Sequence, residues 1–349
     1  MEIFPAHISI NGKLKSIEQL LPHKPDKDWE GHWINFLSEW YDGNDFIEVQ
    51  TSGSTGTPKT IKLKKDSVAS SALRTIRFFD LHEGDRILHC LPSNFIAGKL
   101  MTVRGLVGKL DLHLADPASD FSYLPNDKPI KFAAMVINQV KKYLELPAQK
   151  IEILLIGGSA IPQPLVAQLQ QIATQCYSSY AMTETATHIA LRKLNGENKT
   201  AYYTCLDDIS VELDERGCIR ILMPGLENGA IQTNDLGELK DRHHFKVLGR
   251  VDNVIISGGI KFLPEQIEEK LAKQMPLPFA VSSAPDERLG QKLILLIEGK
   301  TDEKLKTTVQ KSCRKSLTKY EFPKEIRFIE KLPRTENGKI DRKKLNSSD

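Results

Sequence analysis

A loop rich in glycine and hydroxyl side chains is the first candidate for chemistry. The segment TSGSTGTPKT, residues 51–60, follows a short apolar strand, DFIEV. Glycine lets the backbone approach an anion closely, and successive N–H groups can bind phosphate. The segment does not match the nucleotide-binding pattern G-x-x-x-x-G-K-[ST], because Pro58 stands where the second glycine is required. We therefore predict a phosphate-binding loop of another kind, formed by Thr51, Ser52, Gly53, Ser54, Thr55, Gly56 and Lys59.

Four later segments carry residues that could act on a nucleotide. They place glycine, aromatic or charged residues in turns or at the ends of apolar strands, where open α/β sheets bind ligands. Taken singly each is a weak signal, because a lone glutamate or lysine is more often a surface side chain. The residues are Gly157, Gly158 and Ser159 in LIGGSAIP; Tyr180, Ala181, Met182, Thr183 and Glu184 in SYAMTETATH; Asp235, Arg250, Asp252, Gly258 and Gly259 in residues 233–268; and Lys339 in LPRTENGKIDR.

Length and composition describe a soluble globular chain of about two domains. The 349 residues are 40% hydrophobic and 27% charged. The five cysteines show no C-x-x-C spacing, which favours a reducing compartment over zinc sites or disulfides. We see no signal peptide and no apolar run of the ~20 residues needed to span a bilayer. We therefore expect a cytoplasmic protein without a membrane span.

The elements that must position these residues alternate between strand and helix patterns, which is typical of an α/β fold. Strands are predicted at DRILHCLP, LDLHLA and KIEILLIGG, whereas KFAAMVINQVKKYL has helical periodicity. From CIRILM to HFKVLGR the pattern becomes short strands and turns, and the tail LPRTENGKIDRKKL reads as a turn-rich loop. A boundary near GRVDN predicts a large N-terminal α/β domain with layered sheets, residues 1–251, and a small α+β C-terminal domain, residues 252–349.

In this order and at these spacings, the five segments resemble the adenylate-forming acyl-CoA synthetases, which are related to luciferase and to the adenylation domains of peptide synthetases. The resemblance runs from residue 50 to the C-terminus. It implies an ATP-dependent ligase in which a carboxylate attacks the α-phosphorus of ATP and the acyl group then passes to CoA. Two anions meet in that first step, so it needs charge neutralisation and alignment more than a nucleophilic side chain.

The resemblance also assigns a role to each candidate residue. It implies that the C-terminal domain is mobile and rotates between the two steps. Glu184 would hold Mg²⁺, a hard cation that prefers carboxylate and phosphate oxygens. The remaining assignments are residues 51–59 to the β- and γ-phosphates, Gly157–Ser159 and Tyr180–Thr183 to the adenine, Asp235 and Arg250 to the ribose or phosphate, Lys339 to the attacking carboxylate and α-phosphate, Asp252 to the hinge, and Gly258 and Gly259 to the CoA channel.

The chain departs from the family pattern at several positions. Only fifty residues precede the phosphate loop, so we expect part of the usual N-terminal subdomain to be absent. The family's H-x-x-G is replaced within LPSNFIAGKLM, Ala181 and Asn234 stand in for glycines, and Ile256 replaces a common lysine. None of these changes removes a charged catalytic group, so we expect activity to survive.

The short length, IISGG and FIAGKLMTVRGLV most resemble the o-succinylbenzoate–CoA ligases of menaquinone biosynthesis. Their substrate is a diacid, and its second carboxylate predicts a cation in the acyl pocket, because an unpaired charge is costly to bury. Lys99 and Arg104 are five residues apart on one predicted helix and face different sides of it. Lys99 is the preferred contact, and His188 is a second candidate.

Three alternatives remain open. The chain could be another aryl-acid or acyl-acid CoA ligase, or an adenylating enzyme that uses a carrier protein in trans. It could also be a non-catalytic nucleotide-binding protein, although Glu184, Asp235, Arg250 and Lys339 are all retained. A nucleic-acid-binding module is disfavoured, because the 20 Lys/Arg from Asp252 onward are interspersed with 15 Asp/Glu and no aromatic platform accompanies them. The sequence does not define the oligomeric state.

Overall fold

The computed structural model describes residues 2–50, 60–122, 124, 128–148, 150–158, 161–225, 229–300, 303–335 and 340–346, without the side chains of Thr183 and Asn346. Contacts between Cα atoms divide the chain into two compact units. The first comprises Met1–Gly158, Gln168–Ser210 and Met223–Gly229, and the second comprises Ser159–Ala167, Val211–Leu222 and Ala230–Asp349. The boundary predicted at residues 251/252 falls inside the second unit and stays a prediction.

The first part of the chain alternates strands and helices, as the apolar pattern predicts. Strands such as ILLI are buried on both faces and therefore read as continuous apolar runs. The elements are β1 (His7–Ile10), β2 (Lys13–Ser16), α1 (Ile17–Leu20), α2 (Asp28–Trp40), β3 (Phe46–Gln50), β4 (Thr60–Lys64), α3 (Lys65–Phe78), β5 (Arg86–His89), α4 (Ile96–Val107), β6 (Asp111–Leu114), β7 (Ile130–Val136), α5 (Ile137–Leu144), β8 (Ile151–Gly157), α6 (Gln163–Leu169), β9 (Gln175–Ala181), β10 (His188–Lys193) and β11 (Tyr203–Cys205).

The main sheet of the first unit has a parallel centre. Its strands follow the order β11-β10-β9-β8-β7-β5-β6-β1-β2. The strands from β9 to β1 in this order pair in parallel, and β10, β11 and β2 add antiparallel edges. Strand β6 pairs with one edge of β5, and the next strand in the chain, β7, pairs with the opposite edge of β5. The order therefore reverses between β5 and β7, and such switch points are where open α/β sheets bind ligands.

Two details of the first unit differ from the sequence prediction. The segment KFAAMVINQVKKYL is not one helix, because β7 takes its apolar first half and only Ile137–Leu144 is helical. A short apolar run does not distinguish a buried strand from a buried helix. The hairpin β1–β2 was not predicted. Its turn residues, Asn11 and Gly12, both have positive φ. An Asn-Gly pair between strands is a strong hairpin signal.

The second part of the chain is rich in antiparallel strands. Strands β12 to β15 pair in sequence order, and a separate five-stranded sheet follows the order β17-β16-β19-β18, with β20 parallel to β19. The elements are β12 (Ser210–Leu213), β13 (Cys218–Leu222), β14 (Ala230–Asp241), β15 (His244–Arg250), β16 (Ile255–Ser257), β17 (Ile260–Phe262), α7 (Pro264–Leu271), β18 (Phe279–Asp286), β19 (Gly290–Glu298), α8 (Glu303–Ser316), β20 (Glu325–Ile329) and α9 (Arg342–Asn346).

The five-stranded sheet buries apolar side chains on both faces. One face packs against α7 and α8 through residues that include Leu271, Leu295 and Val309, and the other contacts Leu332 and Leu345. The sequence prediction of an α/β fold with a large sheet and a smaller C-terminal sheet is confirmed.

The described residues of the C-terminal tail include regular structure that a turn-rich loop would lack. Arg334 and Ile340 form an antiparallel bridge, and residues Arg342–Asn346 form α9. The sequence prediction for this segment was therefore wrong in part, because the short helix is held by tertiary contacts of Arg342 with Glu268 and with the carbonyl of Val281. Within the described residues, no helix is both long and apolar enough to cross a membrane.

Candidate functional site

The carboxyl edge of the parallel strands places the predicted adenine segment beside the switch point. Gly157 ends β8 and pairs with Val136, the last residue of β7, whose side chain is 42% exposed. Gly158 follows with φ +94°, and a Cβ there would contact the side chain of Val136 at 3.5 Å. Gly158 therefore has a positive-φ backbone beside an exposed apolar side chain, and a glycine backbone lets a ligand approach closely.

Tyr180 lies at the end of the neighbouring strand β9. Its ring is almost fully buried and stands 5.9 Å from the ring of Tyr203. The hydroxyl of Tyr203 is 3.1 Å from the Ser178 hydroxyl, and the guanidinium of Arg192 lies over the Tyr203 ring. The Tyr180 ring therefore packs against a second aromatic ring, that of Tyr203. The next residue, Ala181, is exposed.

Glu184 is presented by a short turn between β9 and β10. Thr183–Thr185 forms one turn of 3₁₀ helix, and the Glu184 side chain is exposed. The buried hydroxyl of Thr185 lies 2.9 Å from the Met182 carbonyl oxygen and 2.5 Å from that of Thr187. Ala186 has φ +62°, a strained value for alanine. The backbone of this turn therefore leaves the Glu184 carboxylate exposed.

Asp235 and Arg250 are brought together by the register of β14 and β15. They are direct cross-strand partners, and Arg250 Nη1 donates to Asp235 Oδ1 at 3.2 Å. Arg250 Nη2 donates to Asp252 Oδ2 at 3.0 Å. Asp252 lies in a 3₁₀ turn, Val251–Asn253, that connects β15 to β16. Arg250, one of the two predicted ribose-binding residues, therefore also donates to the predicted hinge residue, Asp252.

Gly258 and Gly259 form the turn of the β16–β17 hairpin. Both have positive φ, +57° and +81°, and the flanking residues Ser257 and Ile260 pair across it. Two consecutive positive φ values match the right-handed twist of a two-residue hairpin and favour glycine. Ile256 and Ile260 expose apolar side chains beside this turn.

Lys99 and Arg104 project from different sides of α4, as their spacing predicts. Lys99 Nζ lies 2.5 Å from Glu39 Oε2 and 2.8 Å from the Glu48 carbonyl oxygen, over the ring of Phe36. The charge of Lys99 is thus already compensated inside the fold. The sequence preference for Lys99 rests on its place beside Gly98 at the helix start, and its contact with a substrate stays a prediction.

Arg104 is buried without a carboxylate among the described residues. Only 2% of it is exposed, and burial lowers the pKa of its guanidinium to about 9. Its Nη groups donate to Met101 Sδ and Thr75 Oγ1, both at 3.3 Å, while Nε is buried without a hydrogen-bond partner. Its face lies 5.8 Å from the centre of the Phe132 ring. Arg104 therefore remains a cation at neutral pH, and its charge lacks an anionic partner in the described fold.

His188 adjoins this arginine. Its Nε2 lies 3.1 Å from the same Thr75 hydroxyl, and its Nδ1 lies 3.3 Å from the Thr187 hydroxyl. Burial, and then the charge of Arg104, lower the pKa of His188 well below its usual value. The imidazole is therefore neutral at pH 7, and it lies four residues after Glu184.

Several predicted site residues lie outside the described residues. Strand β3 ends at Gln50, which pairs with Thr60 at the start of β4, so the predicted phosphate loop falls between two paired strands in sequence. Among the described residues, no group of three or more His, Cys, Asp or Glu side chains could hold a metal ion. The undescribed residues are Thr51, Ser52, Gly53, Ser54, Thr55, Gly56, Lys59, Ser159, Lys339 and the side chain of Thr183.

The chain matches two descriptions of one enzyme family. Residues 49–206 match "AMP-binding enzyme" and residues 261–339 match "AMP-binding enzyme C-terminal domain". It is 26% identical over 333 residues to a 2-succinylbenzoate–CoA ligase of Bacillus cereus, covering 85% of this chain and 69% of that protein. It is also 26% identical to the long-chain-fatty-acid–CoA ligase FadD13 of Mycobacterium tuberculosis, covering 86% of this chain and 66% of that protein.

Solved structures agree with these matches. One is an acyl-CoA synthetase (AMP-forming)/AMP-acid ligase II-like protein from Dyadobacter fermentans, 34% identical, with a TM-score of 0.63 and coverage of 94% of this chain and 96% of that one. Another is the O-succinylbenzoate coenzyme A synthetase of Bacillus subtilis in complex with ATP and magnesium ion, 24% identical, with a TM-score of 0.73 and coverage of 85% and 69%. This second likeness shows the shared fold.

Proposed function

Because the chain belongs to the AMP-binding enzyme family of adenylate-forming acyl-CoA ligases, we propose that it activates an aromatic diacid, o-succinylbenzoate, and transfers it to CoA. The acid would attack the α-phosphorus of ATP, pyrophosphate would leave, and the thiol of CoA would then displace AMP. Members of the family use ATP, Mg²⁺ and CoA. The product would serve menaquinone biosynthesis, the pathway of the ligases that the sequence most resembles.

The residues of this chain have separate roles in that reaction. Mg²⁺ supplies charge neutralisation at the phosphates when it is bound, and the outward carboxylate of Glu184 fits this hard cation. Asp235, paired with Arg250, offers carboxylate oxygens to the ribose hydroxyls. We assign the phosphate loop, residues 51–59, to the leaving pyrophosphate and Lys339 to the attacking carboxylate, on sequence grounds. Gly157 and Gly158 would face the adenine, with Tyr180 beside them.

The charge of Arg104, which has no carboxylate partner among the described residues, is the observation that carries the choice of a diacid. A buried cation without an anionic partner costs several kcal/mol, and a substrate carboxylate would remove that cost. Arg104 and neutral His188 share the hydroxyl of Thr75, so both could contact one anion there. Lys99 needs no such partner, because Glu39 supplies it. This reasoning assigns the second carboxylate to Arg104 and His188 rather than to Lys99.

A long-chain fatty acid is the second candidate substrate, because FadD13 is as similar to this chain as the succinylbenzoate ligase is. A fatty acid has a single carboxylate, which is consumed in the reaction, and would leave Arg104 uncompensated. The two candidates therefore predict different substrate preferences and different effects of removing Arg104.

Pyrophosphate release over a panel of acids tests the proposal. The panel contains o-succinylbenzoate, benzoate and a long-chain fatty acid, each with and without CoA. We expect kcat/KM to be highest for o-succinylbenzoate and expect Arg104→Met to lower it about tenfold or more, while the values for mono-acids stay unchanged. Because Met fills a similar apolar volume and removes an unpaired charge, the variant should fold.

Lys99→Met is the matched control on the same helix. It breaks the ion pair with Glu39 and should lower stability without changing the order of substrates. A preference of the wild-type enzyme for a mono-acid would leave the adenylate-forming reaction standing and remove the succinylbenzoate assignment. An undiminished diacid preference in Arg104→Met would remove the assignment of Arg104.

A further inference from the structure

Arg216 lies in the turn between β12 and β13 and is held by three hydrogen bonds. Its Nε donates to Asp214 Oδ2 at 2.8 Å, and its Nη2 donates to the Thr233 carbonyl oxygen at 3.0 Å. Its Nη1 donates to the side-chain oxygen of Asn234 at 3.1 Å. The guanidinium is therefore fixed to both sides of the β13–β14 pair, although nearly half of the side chain is exposed.

Asn234 connects Arg216 to Asp252 through hydrogen bonds to both residues. Its oxygen accepts from Arg216, so its NH₂ group faces the other way and donates to Asp252 Oδ2 at 3.2 Å and Oδ1 at 3.4 Å. The Asn234 amide offers both an acceptor and a donor, whereas a glycine, alanine or ionised aspartate at this position could not make both contacts. Asn234 is one of the positions at which this chain departs from the glycine of the family pattern.

Asp252 in turn holds Arg250. Arg250 donates one Nη to Asp252 and the other to Asp235, and Asp235 is its cross-strand partner. The backbone N–H of Asp235 donates to the hydroxyl of Thr233, so the backbone of Asp235 is also held by the residue that precedes Asn234. A continuous series of hydrogen bonds therefore runs from Arg216 through Asn234, Asp252 and Arg250 to Asp235.

We propose that Arg216 and Asn234 are positioning residues for the nucleotide, acting through Asp252 to hold Arg250 against Asp235. This inference rests on the proposed function, which assigns Asp235 and Arg250 to the ribose or phosphate of ATP. Because the Arg216, Arg250 and Asp252 side chains are each about half-exposed, their ion pairs contribute little to the free energy of unfolding. Its contribution is to restrict Arg250 to one orientation before ATP binds, which lowers the entropy lost on binding.

A double-mutant cycle on nucleotide affinity tests the inference. ATP·Mg²⁺ binding is measured by calorimetry, without acid or CoA, for the wild-type protein, Arg216→Ala, Asn234→Ala and the double variant. We expect each single change to weaken ATP binding about threefold, and the double variant to be no weaker than the worse single one, because both act through one contact. Steady-state assays should show KM for ATP raised with kcat and KM for the acid unchanged.

Arg220→Ala is the matched control. Arg220 lies on β13 of the same sheet, but its guanidinium pairs with Glu212, so its loss should leave ATP affinity unchanged. Additive effects of the two changes, or unchanged ATP affinity in both variants while the wild-type protein binds ATP, would overturn the inference and leave the proposed function intact. A wild-type protein that does not bind ATP·Mg²⁺ would overturn the proposed function, and the inference with it.

Discussion

Glu184 owes its orientation to its neighbours in the chain rather than to a partner of its own. The buried hydroxyl of Thr185 stabilises the turn by contacting the carbonyl oxygens of Met182 and Thr187. Ala186, which follows, has a left-handed backbone conformation. A non-glycine residue in that conformation costs on the order of 1 kcal/mol, so the surrounding structure must impose it. Strain of this kind is typical of sites where one side chain must be presented in a fixed direction.

Replacing Glu184 by Gln removes one negative charge and leaves the turn intact. We expect the Mg²⁺ concentration for half-maximal pyrophosphate release to rise about 10- to 100-fold, with an unchanged Tm. A Mg²⁺ titration of the initial rate measures this. Glu197→Gln, which makes the same change on an exposed turn after β10, is the control and should behave as wild type. An identical titration curve for Glu184→Gln would contradict the assignment of Glu184 to the metal.

At the scale of elements, helix α4 is placed by one glycine at its start. A Cβ on Gly98 would stand 2.2 Å from the carbonyl oxygen of Pro92, so the helix packs directly on the backbone that leads out of β5. Gly105, farther along the same helix, faces the side chain of Leu112 at 3.4 Å and has room for a methyl group. The position of Gly98 therefore fixes the register with which α4 presents Lys99 and Arg104.

Gly98→Ala should lower the free energy of unfolding by about 1–3 kcal/mol, because backbone must move to admit the methyl group. Gly105→Ala is the control on the same helix and should be neutral or stabilise by up to about 1 kcal/mol, since alanine favours helix over glycine. Urea unfolding followed by circular dichroism measures both. Equal stabilities for the two variants would show that the contact between Gly98 and Pro92 is not tight.

At the scale of the whole molecule, the cysteines report on the integrity of both compact units. Cys90, Cys176 and Cys205 lie in the first unit and Cys218 and Cys313 in the second, and all five are free and buried. Burial raises the pKa of Cys90 and Cys176 to about 12 and that of Cys313 to about 11. The reactive thiolate is therefore both rare and inaccessible in the folded protein.

We expect a colorimetric thiol reagent to label none of the five cysteines of the native protein within minutes at pH 8, and all five in denaturant. Mass spectrometry of partly labelled samples would show which unit opens first. A reductant should not change the Tm, because no disulfide exists to be reduced. Rapid labelling of a native cysteine would contradict its burial.

Much of the fold could be predicted from local sequence, and so could the strand ends and turns that carry several candidate site residues. The apolar run ILLI of β8 and its Gly157-Gly158 ending were predicted, because residues 153–156 are buried on both faces and are all apolar. The strand that runs through Tyr180 into the turn at Glu184 was also predicted, whereas the hairpin at Gly258 and Gly259 was not. The errors fell on β7, whose short apolar run fits either element, and on α9, which tertiary contacts hold in place.

The sequence by itself therefore determined the family, the α/β class and the residues that carry charge. Only the tertiary structure decided which of those charges is compensated. Lys99 meets Glu39, a residue 60 positions away in the chain, whereas Arg104 meets the neutral His188 and Thr75. Likewise, the β14–β15 register places Asp235 opposite Arg250. Motifs and periodicity are local properties of a chain, but the cost of burying a charge depends on residues that only folding brings beside it.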